Sequence, residues 1–180
     1  MIEHYDPLRR GREFERHVFG DWIWSSDDFY QTRGLPGELD FERSIQEQIR
    51  LNWRRAELAR EIGQDFYDPS DPRTGESQRI CAAVRGYLRS QGHDPATLHL
   101  YVAIGWNSLD FWHHIDAFFF WDGVIVTVDL STENKADFQA DILLSTRDLN
   151  PRHLPAFGER VGKCLIARKN AAEKEPCEAG

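Results

Sequence analysis

An Asp122-Gly123 pair separates two β-rich runs, and it constrains this chain more than any other feature. The first run is His113-His114-Ile115-Asp116-Ala117-Phe118-Phe119-Phe120-Trp121. The second is Val124-Ile125-Val126-Thr127-Val128-Asp129-Leu130-Ser131. Asp-Gly tolerates the positive φ angles of a two-residue hairpin turn, so it sets both the reversal and the register. Trp121 then faces Val124, Asp116 faces Asp129, and His114 faces Ser131. Side chains alternate along a strand. His114, Asp116, Asp129 and Ser131 therefore form one polar patch at the open end of the hairpin. Ile115, Ala117, Phe119 and Trp121 make an apolar face with Val124, Val126, Val128 and Leu130. Phe118, Phe120 and Ile125 make the other face largely apolar as well, so the sheet is expected to be covered on both sides.

Two carboxylates directly opposite each other have Cβ atoms about 5 Å apart and repel. A bridging cation, a proton on one of them, or an interposed Lys or Arg relieves that repulsion. Hard divalent ions such as Mg²⁺ and Mn²⁺ prefer carboxylate and water oxygens. Asp116 and Asp129 are therefore the candidate metal ligands. The alternative is two solvated Asp residues near a frayed sheet end.

The chain has 180 residues, which suits one domain. Residues 1–37 carry Phe14, Phe19, Trp22, Trp24, Phe29 and Tyr30 with little periodicity, and read as an aromatic arm packed on the domain. From Phe41 to Ile62, apolar residues recur at Phe41, Ile45, Ile49, Trp53, Ala56 and Ile62, the spacing of a helix, with Asp40 placed to cap it. Its outer face is charged through Arg50, Arg54, Arg55, Glu57, Arg60 and Glu61. A second helix is expected over Glu76–Ser90, stopped by Gly92. Thr97–Trp106 reads as a strand, Phe138–Ser145 as another strand or a short helix, and Leu154–Arg168 as a last helix, broken or started near Pro155. The expected fold is α+β: a mixed central sheet of about four strands with helices on both faces, a domain spanning residues 38–168. The tail from Lys169 to Gly180 is expected to be disordered.

Net charge is −8, which opposes a broad basic nucleic-acid surface but not a local groove. The three cysteines, Cys81, Cys164 and Cys177, have no CxxC spacing, and their odd number fits a reducing cytosol. No apolar stretch approaches the length of a membrane span and no signal-peptide pattern opens the chain, so a cytoplasmic protein without membrane contact is expected.

The hairpin resembles the core of the PD-(D/E)XK nuclease superfamily. Asp116 matches the first carboxylate of that family, and Asp129-Leu130-Ser131 matches its second motif, with Asp129 as the acidic residue. The resemblance implies that Asp116 and Asp129 bind Mg²⁺ or Mn²⁺ and that DNA or RNA phosphodiesters are hydrolysed. The family's helix carboxylate would be Glu42 or Glu47; the sequence does not choose between them. The motif lysine is replaced by Ser131, and Lys135 is the nearest substitute. Lys135 or His114 would position the attacking water or accept its proton.

Two other readings remain. A catalytically inactive relative would use its tryptophans and aromatic arm to hold a protein partner or a second copy. A nuclease, by contrast, needs Arg50, Arg54, Arg55 or Arg85 on the side of the Asp pair. His114-Ile115-Asp116 with His153 would imitate the facial triad of Fe(II) oxygenases, although those enzymes need a barrel of many strands.

Overall fold

A computed structural model describes residues 7–20, 37–63, 68–71, 74–103, 108–132 and 139–174. Along the chain run α1 (Pro7–Phe19), α2 (Phe41–Glu61), α3 (Gly75–Ser90), β1 (His99–Val102), α4 (Ser108–His113), β2 (Ala117–Trp121), β3 (Val124–Ser131), β4 (Ile142–Ser145) and α5 (Leu154–Lys174). Asp122 and Gly123 both have positive φ, 47° and 85°. That turn pairs Trp121 with Val124 and Ala117 with Val128, the register its dipeptide demands. β1 joins β2 antiparallel, and β4 joins β3 parallel. The result is a mixed four-stranded sheet of order β1-β2-β3-β4 in an α+β fold.

Both faces are covered. On one, Leu100, Val102, Ala117, Phe119, Trp121, Val126, Val128, Leu130, Ile142 and Leu144 pack with Phe14, Val18 and Phe19 of α1, with Ile80, Val84 and Leu88 of α3, and with Phe157, Val161 and Leu165 of α5. Each fully buried side chain of this size contributes about 1.5–3 kcal/mol. On the other face, Tyr101 and Phe118 pack with Ile45 of α2 and Leu109 of α4. Ile115 belongs to this second cluster and not to the first, where strand alternation placed it. The reason is local: β2 begins only at Ala117, and His114, at φ 53°, turns the chain before it.

Asp40 caps α2, its carboxylate accepting from Arg43 N–H at 2.9 Å. The buried stripe of α2 is rotated from the expected one. It runs through Ser44, Ile45, Gln48, Asn52, Ala56 and Ala59, while Phe41, Trp53 and Ile62 are 44%, 37% and 72% exposed. Asn52 explains part of this rotation: its Nδ2 donates to Val102 O on β1 and to Gln48 O, both at 2.9 Å.

The helix α3 ends at Ser90 with Gln91 as its cap, and Gly92 follows at φ 81°. Cys81 is buried and its thiol is pushed up to about 12, by desolvation first. The last helix runs through Lys174, so the tail expected from Lys169 is helical at its start. Lys169 pairs with Asp122 at the hairpin tip and sits 4.5 Å over the Trp121 ring. Arg168 holds both oxygens of Asp141, at 2.8 and 2.5 Å. Residues 21–36 and 175–180 lie outside the described residues, and with them Trp22, Trp24, Phe29, Tyr30 and Cys177. Among the described residues, no helix is long and apolar enough to cross a membrane.

Candidate functional site

The end of the sheet where β2 begins and β3 stops gathers the candidate chemistry. Asp116 is held there by its backbone: its N–H donates to Val128 O at 3.1 Å, and its carbonyl accepts from Ala103 N–H at 2.7 Å. Its Oδ2 accepts from Leu130 N–H at 2.6 Å. That bond fixes the carboxylate beside the neighbour of Asp129. Asp129 itself is 6% exposed and projects from β3 on the same face as Thr127 and Ser131, also buried.

The Asp116 carboxyl is raised well above the usual carboxylate range. Burial is the largest cause, followed by the charges of Glu15 and Asp110 and, further down, of Asp129; the Leu130 N–H works the other way. Glu15 comes from α1 and Asp110 from α4, so carboxylates press on Asp116 from elements outside the hairpin. The repulsion among these carboxylates is of the kind that a cation or a proton would offset. Among the described residues, no group of three or more His, Cys, Asp and Glu is arranged to hold a metal ion.

His114 does not face Ser131. It follows α4, its N–H donating to Asp110 O at 3.1 Å, and it is exposed. Residues 108–113 form a short helix, so His113, read as the start of the strand, closes a helix, and the His pair does not open β2. His113 turns instead toward α2, with Nε2 at 3.0 Å from Leu39 O and its ring edge-on to Phe41. Ser131 pairs with Ser145 of β4.

Glu42 is exposed in the first turn of α2, and Glu47 pairs with Arg50 at 3.4 Å. Neither is among the charges that shift Asp116; Glu15 of α1 and Asp110 of α4 are the helix carboxylates that do so. The signal for Glu15 was present in Phe14, Val18 and Phe19, whose spacing marks α1 as amphipathic with Glu15 at the border of the buried stripe. Lys135 lies outside the described residues.

Arg50 and Arg54 are exposed on α2, in the layer covering the Asp129 face. Arg85 lies in the other layer, donating to Leu98 O and pairing with Asp71. His153 precedes α5 and lines a separate cleft with Arg147, Arg160 and Lys163. His114, Asp116 and His153 therefore form no three-ligand group among the described residues. Neither a family model, nor a curated protein, nor a solved structure matches this chain.

Proposed function

We propose that the chain is a metal-dependent phosphodiester hydrolase, a PD-(D/E)XK-like nuclease, with Asp116 and Asp129 as its Mg²⁺ or Mn²⁺ ligands. One observation carries this reading: the Asp116 carboxylate is fixed by Leu130 N–H next to Asp129 and pressed by Glu15 and Asp110. Such crowding of half-buried negative charge beside the buried Asp129 is costly unless a cation or a proton joins it. An ion held there acidifies a bound water and polarises a phosphoryl oxygen. With two protein carboxylates the ion keeps several waters, as Mg²⁺ does.

In this reading Asp116 and Asp129 bind and orient. Glu15 takes the place assigned to Glu42 or Glu47 and, with Asp110, holds that water shell. Lys135 orients the attacking water, and His114 is the alternative proton acceptor. DNA or RNA is the substrate, and the free thiols of Cys81 and Cys164 fit a cytoplasmic setting.

A second reading rests on a different observation. Phe41, Trp53 and Leu58 of α2 and Ile62 just after it are exposed, which suits a non-catalytic module with a protein partner. Melting in the presence of Mn²⁺ or Mg²⁺ separates the two. The hydrolase gains stability with the cation. Its Asp129→Ala variant melts higher than wild type without metal, because repulsion is relieved, and loses the metal response. Cleavage of labelled single-stranded DNA, duplex DNA or RNA disappears in the same variant. A wild-type melting curve indifferent to both cations defeats the hydrolase reading.

A further inference from the structure

β3 and β4 run parallel and finish at the same end of the sheet, and a second cleft opens where β4 stops. Asp129 pairs with Leu143 and Ser131 with Ser145. A strand spacing of about 4.8 Å and a rise of about 3.3 Å per residue put the Ser145 backbone about 8 Å from that of Asp129. From Ser145 the cleft extends over about 380 Å³, between the β4–α5 turn and the first turns of α5. Its cationic lining is Arg147, Arg160 and Lys163, with His153 beside them.

The carboxylates of this cleft are already engaged. Asp148 accepts from Ser145 N–H at 2.9 Å, from Ser145 Oγ at 2.7 Å and from Arg160 at 2.8 Å. Glu159 holds Lys163 at 2.6 Å. Arg147 forms no ion pair with any described residue. A guanidinium offers five N–H donors, so Arg160 also retains donors beyond its bond to Asp148. In a chain of net charge −8, a cleft whose lining sets Arg147, Arg160 and Lys163 against Asp148 and Glu159 is a local exception.

We propose that this cleft is a phosphate subsite for a nucleic-acid strand, holding a backbone phosphate adjacent to the one presented to Asp116 and Asp129. The proposal rests on the hydrolase reading above. Arg147 is its main contact, because a planar guanidinium grips phosphate through two parallel N–H bonds. His153 adds a further donor. Such contacts locate the strand without reading its sequence.

The test is fluorescence anisotropy of a short labelled single-stranded oligonucleotide in EDTA, where binding is read without cleavage. Arg147→Gln is expected to weaken binding about tenfold and to lower the salt slope by about one. His153→Gln should weaken it less. Inorganic phosphate should compete at the wild-type subsite only weakly, since it has one contact set where the strand has several. Both variants should keep the wild-type Mn²⁺ melting shift. If the oligonucleotide does not bind, or binds wild type and Arg147→Gln equally, the subsite is overturned whatever Mn²⁺ does. If phosphate competes strongly while Arg147→Gln leaves the oligonucleotide unaffected, a free-phosphate site replaces the strand site. An Arg147-dependent strand affinity without any Mn²⁺ shift retains the subsite and removes the metal reading instead.

Discussion

Asp116 binds its proton more tightly in the folded chain than in the unfolded one, because burial and then the Glu15 and Asp110 charges raise its pKa. An unfolded aspartate titrates near 3.9, so the contribution is fully present below about that pH. It is lost as pH rises through the folded value, since the ionised form is the one the fold disfavours. Metal-free protein should therefore melt lower as pH climbs above the ordinary carboxylate range. Asp116→Asn removes the titration but keeps an acceptor for Leu130 N–H. In EDTA the variant is expected to melt higher than wild type at about pH 7.5 and to converge with it near pH 4. Parallel curves across that range would show that the carboxylate ionises without penalty. Gln48 poses a related question. It is fully buried, and neither its Nε2 nor its Oε1 has a hydrogen-bond partner among the described residues. An unmet buried amide costs about 1–3 kcal/mol. Gln48→Met, similar in length and apolar, should raise Tm by about 2–4 °C for each kcal/mol recovered. A fall in Tm would reveal that the amide holds something essential to the fold.

The helices α3 and α5 approach closely because glycines face them across the contact. A Cβ on Gly158 would lie 2.6 Å from the Ala83 carbonyl carbon and oxygen, and one on Gly162 would lie 2.3 Å from the Tyr87 ring. Helix propensity alone favours Gly→Ala by about 1 kcal/mol, and it decides the outcome only where space is open. A Cβ on Gly86, also in α3, would meet nothing within 4 Å. Gly86→Ala should therefore stabilise by about 0.5–1 kcal/mol, and Gly158→Ala should destabilise by about 1–3 kcal/mol, because backbone cannot yield as a side chain can. Denaturant melts of the two variants check the opposite signs, and equal effects would mean the helices separate at little cost. Legibility also divides at this scale. Asp40 as a cap, Gly92 as a stop and Asp122-Gly123 as a turn are local signals, and each was readable from adjacent residues. α4 was missed because Ser108–His113 is too short for a helical period to show. α5 outran its expected end because Arg168 and Lys169 are anchored to Asp141 and Asp122, contacts that local composition does not encode.

At the scale of the whole molecule, the sheet is a wall between two helical layers, and the Asp pair lies where that wall ends. The turn was legible down to the Ala117–Val128 pair, because a hairpin register is short-range; past that pair Asp116 N–H donates to Val128 O, and the ladder stops short of the expected Asp129 partner of Asp116. The surroundings of the Asp pair were not legible, because Glu15 arrives from α1 and Asp110 from α4, elements whose approach depends on the packing of both layers. Under the proposed hydrolase reading, that convergence would couple cation binding to global stability. A ligand that binds only the folded chain stabilises it by RT ln(1 + [L]/Kd), about 2.7 kcal/mol at a hundredfold excess over Kd. For a domain of this size that is a Tm rise of roughly 5–10 °C. The same carboxylate must release its proton before it can ligate, and its folded pKa lies above the ordinary range. Protons therefore compete with the cation at milder acidity than for an ordinary aspartate. The Mn²⁺-induced rise in Tm should grow as pH climbs above the ordinary carboxylate range and shrink as pH falls back toward it, the reverse of the trend in metal-free stability. Melting wild-type protein over a grid of pH and Mn²⁺ concentration checks this crossing of slopes. A shift of constant size across the grid would place the cation at some other group, one whose pKa folding does not raise, and would free Asp116 from the role assigned to it.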